Sequence, residues 1–455
     1  MKKFFLLCFV LLFHLSGRAQ YCLAHVTVVD VEQGRLIADQ FVYIEGLRIK
    51  SITSHPVKNN NSRVYDCTGK YVMPGLWDMH IHDAGDDSSN RHEYVPLFLA
   101  NGVTGIRDMW GSDDMLKLKA DINAGRFIGP RMIIGSPIID GEKPFFPTSL
   151  RASTPAQGRH YVDSLAAAGY DFIKIYSTIR EPVYLAIADE CKKKGIAMEG
   201  HLPMEVGMAE AVDAGQRSFE HNFNVNRYLT GKEAGYLAWS RHYLDTVHPP
   251  LKAEFMVENE PLGVSEKDFS LPQAVLDKMI ANRMAVVPTL TLAQGRSTNA
   301  DTMAKRTKGL QYLSTGFINY WKRQPPVLPE QLVQTFGAAA KFFTDKGVLV
   351  LAGTDVNNPF CVPGFGLQQE LINLHNAGLT NLQVLQAATL NPAKFLYKEN
   401  EMGTVTAGKL ADLLVLDDNP LTDIRNTQKI DAVIVNGNYI SKEGIQQMLD
   451  TQRKR

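Results

Sequence analysis

His80 and His82 stand one residue apart at the end of an apolar run, Val72-Met73-Pro74-Gly75-Leu76-Trp77-Asp78-Met79-His80-Ile81-His82. In a strand, residues two apart face the same side, so both imidazoles point together. Paired imidazoles are half of a metal site. Such a pair also occurs on solvated strands and proves little by itself. Three further apolar runs end in the same chemistry: Gly200-His201, Phe219-Glu220-His221 and Ala352-Gly353-Thr354-Asp355. Each residue alone could be a core histidine or a helix cap. Four histidines and an aspartate at the ends of four strand candidates argue jointly for metal ligation.

Lys174 lies between apolar neighbours in Asp171-Phe172-Ile173-Lys174-Ile175-Tyr176. An ammonium buried beside divalent cations is electrostatically untenable. Carboxylation by CO2 would turn it into an anionic carbamate able to bridge two metals. The alternative is that Lys174 faces outward or pairs with a carboxylate. Tyr176 follows by two residues, shares that face, and is a candidate substrate contact. Arg107 and Asp108 end another strand candidate; one of them would contact substrate or support a metal ligand.

Eight strand candidates position these groups, ending near His82, Met109, Gly135, Tyr176, His201, His221, Pro288 and Asp355. Helical patterns follow at 92–101, 113–124, 155–168, 181–194, 205–214, 271–283, 329–346 and 366–377. Alternating strand and helix predicts an α/β fold with a parallel sheet, and eight units fit a (β/α)8 barrel with its chemistry at the strand C-termini. Two long connections, 222–270 and 292–328, are polar and mixed and follow the sixth and seventh candidates. They are expected to shape or cover the pocket, unless they are surface excursions. Short β-like runs fill 21–70, and two more occur at Ala411–Leu416 and Ala432–Gly437. The two ends are expected to form one small β-sandwich. The domain plan is therefore a leader at 1–19, sandwich at 20–70, barrel at 71–398, and sandwich and tail at 399–455.

Lys2, Lys3, the apolar run Phe4–Leu15 and Ser16-Gly17-Arg18-Ala19 read as a secretory signal peptide. The run is short for a membrane span. The protein is expected to be exported, periplasmic or extracellular, with no stable span after cleavage. The 455 residues balance 48 basic against 48 acidic groups, and three of the basic ones lie in the leader. No basic stripe suggests nucleic acid. The sequence leaves homo-oligomers open. Cys22, Cys67, Cys191 and Cys361 show no C-x-x-C spacing, which argues against a thiolate zinc site. Cys22 and Cys67 are near enough in sequence to pair, although free buried thiols are the simpler reading. There is no G-x-S-x-G, Walker A, G-x-G-x-x-G or H-E-x-x-H.

Pro74–His82 resembles the first metal motif of the amidohydrolase superfamily. Phe172–Tyr176 is similar to the bridging-lysine motif of its imidazolonepropionase/prolidase-like branch. Gly200-His201, Glu220-His221 and Gly353-Thr354-Asp355 match the remaining ligand positions. Asn391-Pro392-Ala393, Gly403-Thr404-Val405, Gly408–Asp412 and Asn419-Pro420-Leu421 resemble the run that closes such chains. One departure is Gln368, where members often carry histidine. The resemblance implies two divalent ions, zinc by default. His80, His82, carboxylated Lys174 and Asp355 would hold the more buried ion, and Lys174, His201 and His221 the other. It further implies hydrolysis by metal-bound hydroxide, with Asp355 as base and then acid. The small-molecule substrate would carry a C–N bond in a dipeptide (Xaa-Pro-like) or N-acyl amino acid. A cyclic amide or ureide, a lactone or a phosphoester remains open, as does a non-catalytic metal-stabilised binding protein.

Overall fold

A computed structural model describes residues 20–57, 62–82, 93–247 and 260–453. The leader assigned to 1–19 lies outside them.

The strand Leu76–Ile81 is buried at every position, as are Val103–Asp108 and Phe172–Ile175. Strands covered on both faces belong to parallel sheets with helices packed over them. Leu76–Ile81, Val103–Asp108 and Arg131–Ile134 form one parallel sheet. A second parallel sheet runs in the order Leu150–Arg151, Ile139–Asp140, Phe172–Ile175, Ala197–Gly200, Gln216–Glu220, Ala285–Val287, Leu349–Val350. Isolated parallel bridges join Gly135 to Phe172 and Ile81 to Val356. The fold is α/β with parallel sheets.

Helices begin and end where the local chemistry requires. Pro155–Ala168 starts on a capping box between Thr154 and Gln157. It stops at Gly169, whose φ of 92° favours a residue without a Cβ. Glu330–Asp345 buries Leu332, Phe336, Ala339, Ala340 and Phe343, one helical face, and packs on Leu290–Ser297.

Leu349–Val350 is shorter than the strand expected to reach Asp355. Leu351 N–H still donates to the Val286 carbonyl at 3.0 Å, and beyond it the chain runs beside His80. A side chain at Gly353 would meet the His80 Cβ at 2.8 Å, so glycine permits the approach. The two long connections are also more ordered than expected. The first holds helices Val225–Leu229 and Glu233–Thr246, and the second Leu290–Ser297, Ala300–Arg306 and Thr315–Lys322. Buried anchors explain the first. The Arg227 guanidinium lies 3.1 Å from Glu260 and 4.1 Å from the Tyr236 ring centroid.

Segments from both ends of the chain share one eight-stranded mixed sheet. Its main path is Asn438–Ser441, Ile430–Val435, Leu413–Leu416, Tyr71–Pro74, Gln20–Asp30, Arg35–Glu45, Arg48–Thr53, and Arg63–Asp66 pairs with Gln20–Asp30. Val28, Val42, Ile44, Val72, Leu413, Val415 and Ile434 share a core there. Cys22, Cys67, Cys191 and Cys361 are buried free thiols. No helix among the described residues is long and apolar enough to cross a membrane.

Candidate metal centre

His80 ends a fully buried strand, and the Asp355 N–H donates to the His80 carbonyl at 2.7 Å. That bond fixes Asp355 against the two histidines. His80 Nε2 lies 3.1 Å from His82 Nε2, and Asp355 Oδ1 lies 3.4 Å and 2.8 Å from those two nitrogens. Tetrahedral donors about 2 Å from a shared ion sit about 3.3 Å apart, so this triangle fits a metal.

His201 and His221 stand on the neighbouring strand ends. Their rings are 4.9 Å apart, and His221 is 4.4 Å from His80. Ser177 Oγ meets His201 Nδ1 at 2.9 Å, leaving Nε2 buried and unpartnered. Thr289 Oγ1 meets His221 Nδ1 at 2.8 Å. Burial holds His80 and His201 well below the usual imidazole range, with neighbouring cationic groups adding to it. Burial likewise lowers His221 to about 4, against the opposing charge of Asp355. Neutral imidazoles are the metal-binding form. Burial alone would raise Asp355, but the imidazoles of His82, His221 and His80 hold it ionised, well below the carboxylate range.

Lys174 is fully buried, and its Nζ has no hydrogen-bond partner. An ammonium would leave three donors unsatisfied there. Burial pushes its pKa down to about 8. The outward-facing alternative is thereby removed. The His80–His82–Asp355 triangle and the unpartnered His201 Nε2 fit divalent metal.

Backbone strain collects at this place. Asp355, His221 and Thr289 have φ of 64°, 61° and 45°, which side chains rarely adopt. Gly200 makes a similar allowance before His201, because a Cβ there would meet the Ile175 carbonyl at 2.2 Å.

Arg107 is not a substrate contact in this geometry. It is fully buried, absent from the cavity wall, and committed to Glu199 at 2.7 Å, Glu220 at 2.9 Å and the Met79 carbonyl at 2.6 Å. Glu220 in turn meets His80 Nδ1 at 2.6 Å. Burial would raise Glu220, yet Arg107 and His80 keep it ionised, below its ordinary value. Arg107 and Glu220 thus set the orientation of His80. The role of Glu220 was missed, although an acid two residues after Ser218 in a buried strand was a signal. Asp78 was missed too. It lies two before His80 and accepts from Thr354 Oγ1 at 2.7 Å, tying the first strand to the Asp355 segment. Gln368 sits elsewhere, bonded to the Asn101 carbonyl at 2.9 Å and Thr427 Oγ1 at 2.7 Å.

Above the ligands is a cavity of about 310 Å³, lined by His82, Tyr176, His201, His221 and Asp355 at one end. Trp110, Phe145, Phe146, Phe223, Leu292, Val327 and Leu328 supply apolar walls, and Arg296, Asn357 and Asn358 supply polar groups. Tyr176 lies 3.8 Å from His201, centroid to centroid, as a wall residue.

The amidohydrolase family model matches residues 71–440. The chain belongs to the amidohydrolase family. Adenine deaminase from Serratia proteamaculans (strain 568) is 25% identical over 433 residues, covering 93% of this chain and 57% of that protein. This amidohydrolase thus spans little more than half the length of the curated relatives it matches. Among solved structures, bottromycin amidohydrolase aligns with a TM-score of 0.72 at 22% identity, covering 96% of this chain and 90% of the other. A Xaa-Pro dipeptidase with methionine bound in its active site aligns at 0.66 and 20%, covering 93% and 100%. The family match agrees with the His80–His82–Asp355 cluster as a candidate metal site.

Proposed function

We propose that this amidohydrolase is an exported enzyme that cleaves the C–N bond of an N-acyl amino acid or dipeptide. The observation that carries the reading is the gathering of His82, His201, His221 and ionised Asp355 at one end of an apolar cavity, with His80 against Asp355 and the buried Lys174, whose Nζ has no hydrogen-bond partner, within reach of the Asp355 charge. His80, His82, carboxylated Lys174 and Asp355 would hold one divalent ion, and Lys174, His201 and His221 a second, zinc by default. When bound, the ions would acidify a water and polarise a carbonyl. A pKa of about 8 leaves part of Lys174 as the neutral amine that CO2 requires.

Asp355 takes the proton of the attacking water and returns it to the leaving nitrogen. Tyr176, kept protonated by burial, donates to the developing oxyanion. Arg296 and the amides of Asn357 and Asn358 suit a substrate carboxylate.

The scaffold of this reading is one closed (β/α)8 barrel over 71–398. Its support is the parallel strands of the two sheets and the bridges Gly135–Phe172 and Ile81–Val356, which link one sheet to the other on both sides. Residues 20–70 and 399–455 would fold as a small sandwich beside it, after removal of the leader 1–19.

A second reading follows from the sequence relatives named adenine deaminase: hydrolytic removal of an exocyclic amine from a purine. The test is turnover of a mixed panel by the zinc- and bicarbonate-loaded protein, read by mass spectrometry. It holds dipeptides, N-acyl amino acids, ureides, lactones, an aryl phosphotriester and adenine. Cleavage of the first two, lost by at least about 100-fold in Asp355→Asn with metals retained, is expected. Turnover of adenine alone would replace this reading with the second.

A further inference from the structure

The cavity carries an unbroken run of rings from one metal-ligand candidate to another. The Trp110 ring lies 5.7 Å from His82 and 4.8 Å from Phe146. Phe146 lies 4.8 Å from Phe145 and 5.5 Å from Tyr176, which reaches His201. Trp110, Phe145 and Phe146 are only partly buried, so their faces border the cavity. Phe223, Leu292, Val327 and Leu328 stand among the other wall residues. Apolar surface held open to water gains free energy when a ring covers it.

The wall is built rigidly. Phe145 and Phe146 lie on the segment between Asp140 and Ser149. The Asp140 carboxylate accepts from the N–H groups of Gly141 at 3.0 Å, Phe145 at 2.9 Å and Thr178 at 2.8 Å. Ser149 N–H closes the turn on the Phe146 carbonyl at 3.0 Å. Trp110 N–H is held by Asp108 Oδ1 at 2.8 Å.

We propose that Trp110, Phe145 and Phe146 are specificity residues that select a substrate bearing an aromatic ring beside the scissile amide. The substrate class is an N-acyl or dipeptide derivative of an aromatic amino acid, or an arylacyl amide. This rests on the amide-hydrolase reading above and narrows it. No cationic or acidic side chain belongs to this run of rings, so the selection works by apolar burial and ring stacking.

The test compares N-acetyl-phenylalanine and phenylacetyl-glycine with N-acetyl-alanine, N-acetyl-aspartate and acetyl-glycine, using the metal-loaded full chain. The aromatic substrates should have kcat/KM at least about tenfold higher. In Phe146→Ala that advantage should shrink about tenfold, mainly through KM, while Phe146→Leu, which keeps apolar bulk, falls between. Metal content and circular dichroism check that both variants fold. Equal or better turnover of the alanine and aspartate substrates would overturn the proposal. So would a loss in Phe146→Ala that is the same for every substrate. If no amide is cleaved, the functional reading fails separately, and calorimetric titration with phenylacetate against acetate decides the wall. Tighter phenylacetate binding that Phe146→Ala abolishes would uphold it, and equal binding would overturn it.

Discussion

Lys174 and Arg107 are both fully buried cations in strands, yet they face opposite electrostatic situations. Arg107 has carboxylates on two sides, Glu199 and Glu220. Arg107→Met should destabilise the protein by about 3–5 kcal/mol in denaturant titration at neutral pH, because it strands two buried charges. The cost should shrink as pH falls and those carboxylates protonate. Lys174 has no partner for its Nζ. Its depressed pKa, about 8, means the folded metal-free chain resists the proton that an unfolded lysine holds up to its ordinary value of 10.5. Stability of that metal-free form should therefore rise between pH 8 and 10.5 and be lost below. Reactivation by zinc at a fixed concentration of dissolved CO2 should likewise slow by about tenfold per unit below pH 8, as the neutral amine disappears. A rate independent of pH there would count against carbamate formation. Both residues were visible in the sequence as charges inside apolar runs. Which one had a partner was not, because Glu199 and Glu220 lie 92 and 113 residues from Arg107.

At the scale of elements, periodicity located most strands and helices, and the predicted 155–168 and 181–194 helices match Pro155–Ala168 and Glu181–Lys194. Caps explain that success, since proline near the start and glycine after the end are local signals. The short strands Ile139–Asp140 and Leu150–Arg151 were not foreseen. Two residues have no period to read, and their pairing is secured by the Asp140 carboxylate. Asp140→Ala leaves at least three N–H groups without that acceptor. It should cost about 2–4 kcal/mol by thermal or chemical denaturation, with Asp140→Asn less because one oxygen remains. The helices within the long connections were also missed. Their anchors, such as Arg227 on Glu260, are formed across 33 positions and leave no local period to read.

For the whole molecule, the terminal sheet and the parallel strands are one folding problem. Leu413–Leu416 lies inside its sheet, between Tyr71–Pro74 and Ile430–Val435. Leu414, Leu416, Val433 and Val435 belong to the core shared with the parallel strands, whereas Leu413 and Val415 belong to the terminal sheet's own core. Deleting residues 399–455 should therefore give an aggregated product, checked by size-exclusion chromatography. A soluble, metal-loaded product would show that the central part stands alone.

The sequence by itself determined the α/β class and the identities of the ligand candidates, because strand-end position and two-residue alternation are local and their chemistry is carried by residue type. It also located β-structure within 20–70 and at the runs Ala411–Leu416 and Ala432–Gly437. Only the tertiary structure decided the rest. It set His80 against Asp355, gave Glu220 to the His80 imidazole and Arg107 to Glu220, and left Lys174 Nζ without a hydrogen-bond partner. It also gathered Trp110, Phe145, Phe146 and Tyr176 into one wall. Those contacts join residues from different strands and loops. Their free energy comes from burial and charge pairing that exist only once the sheets have assembled.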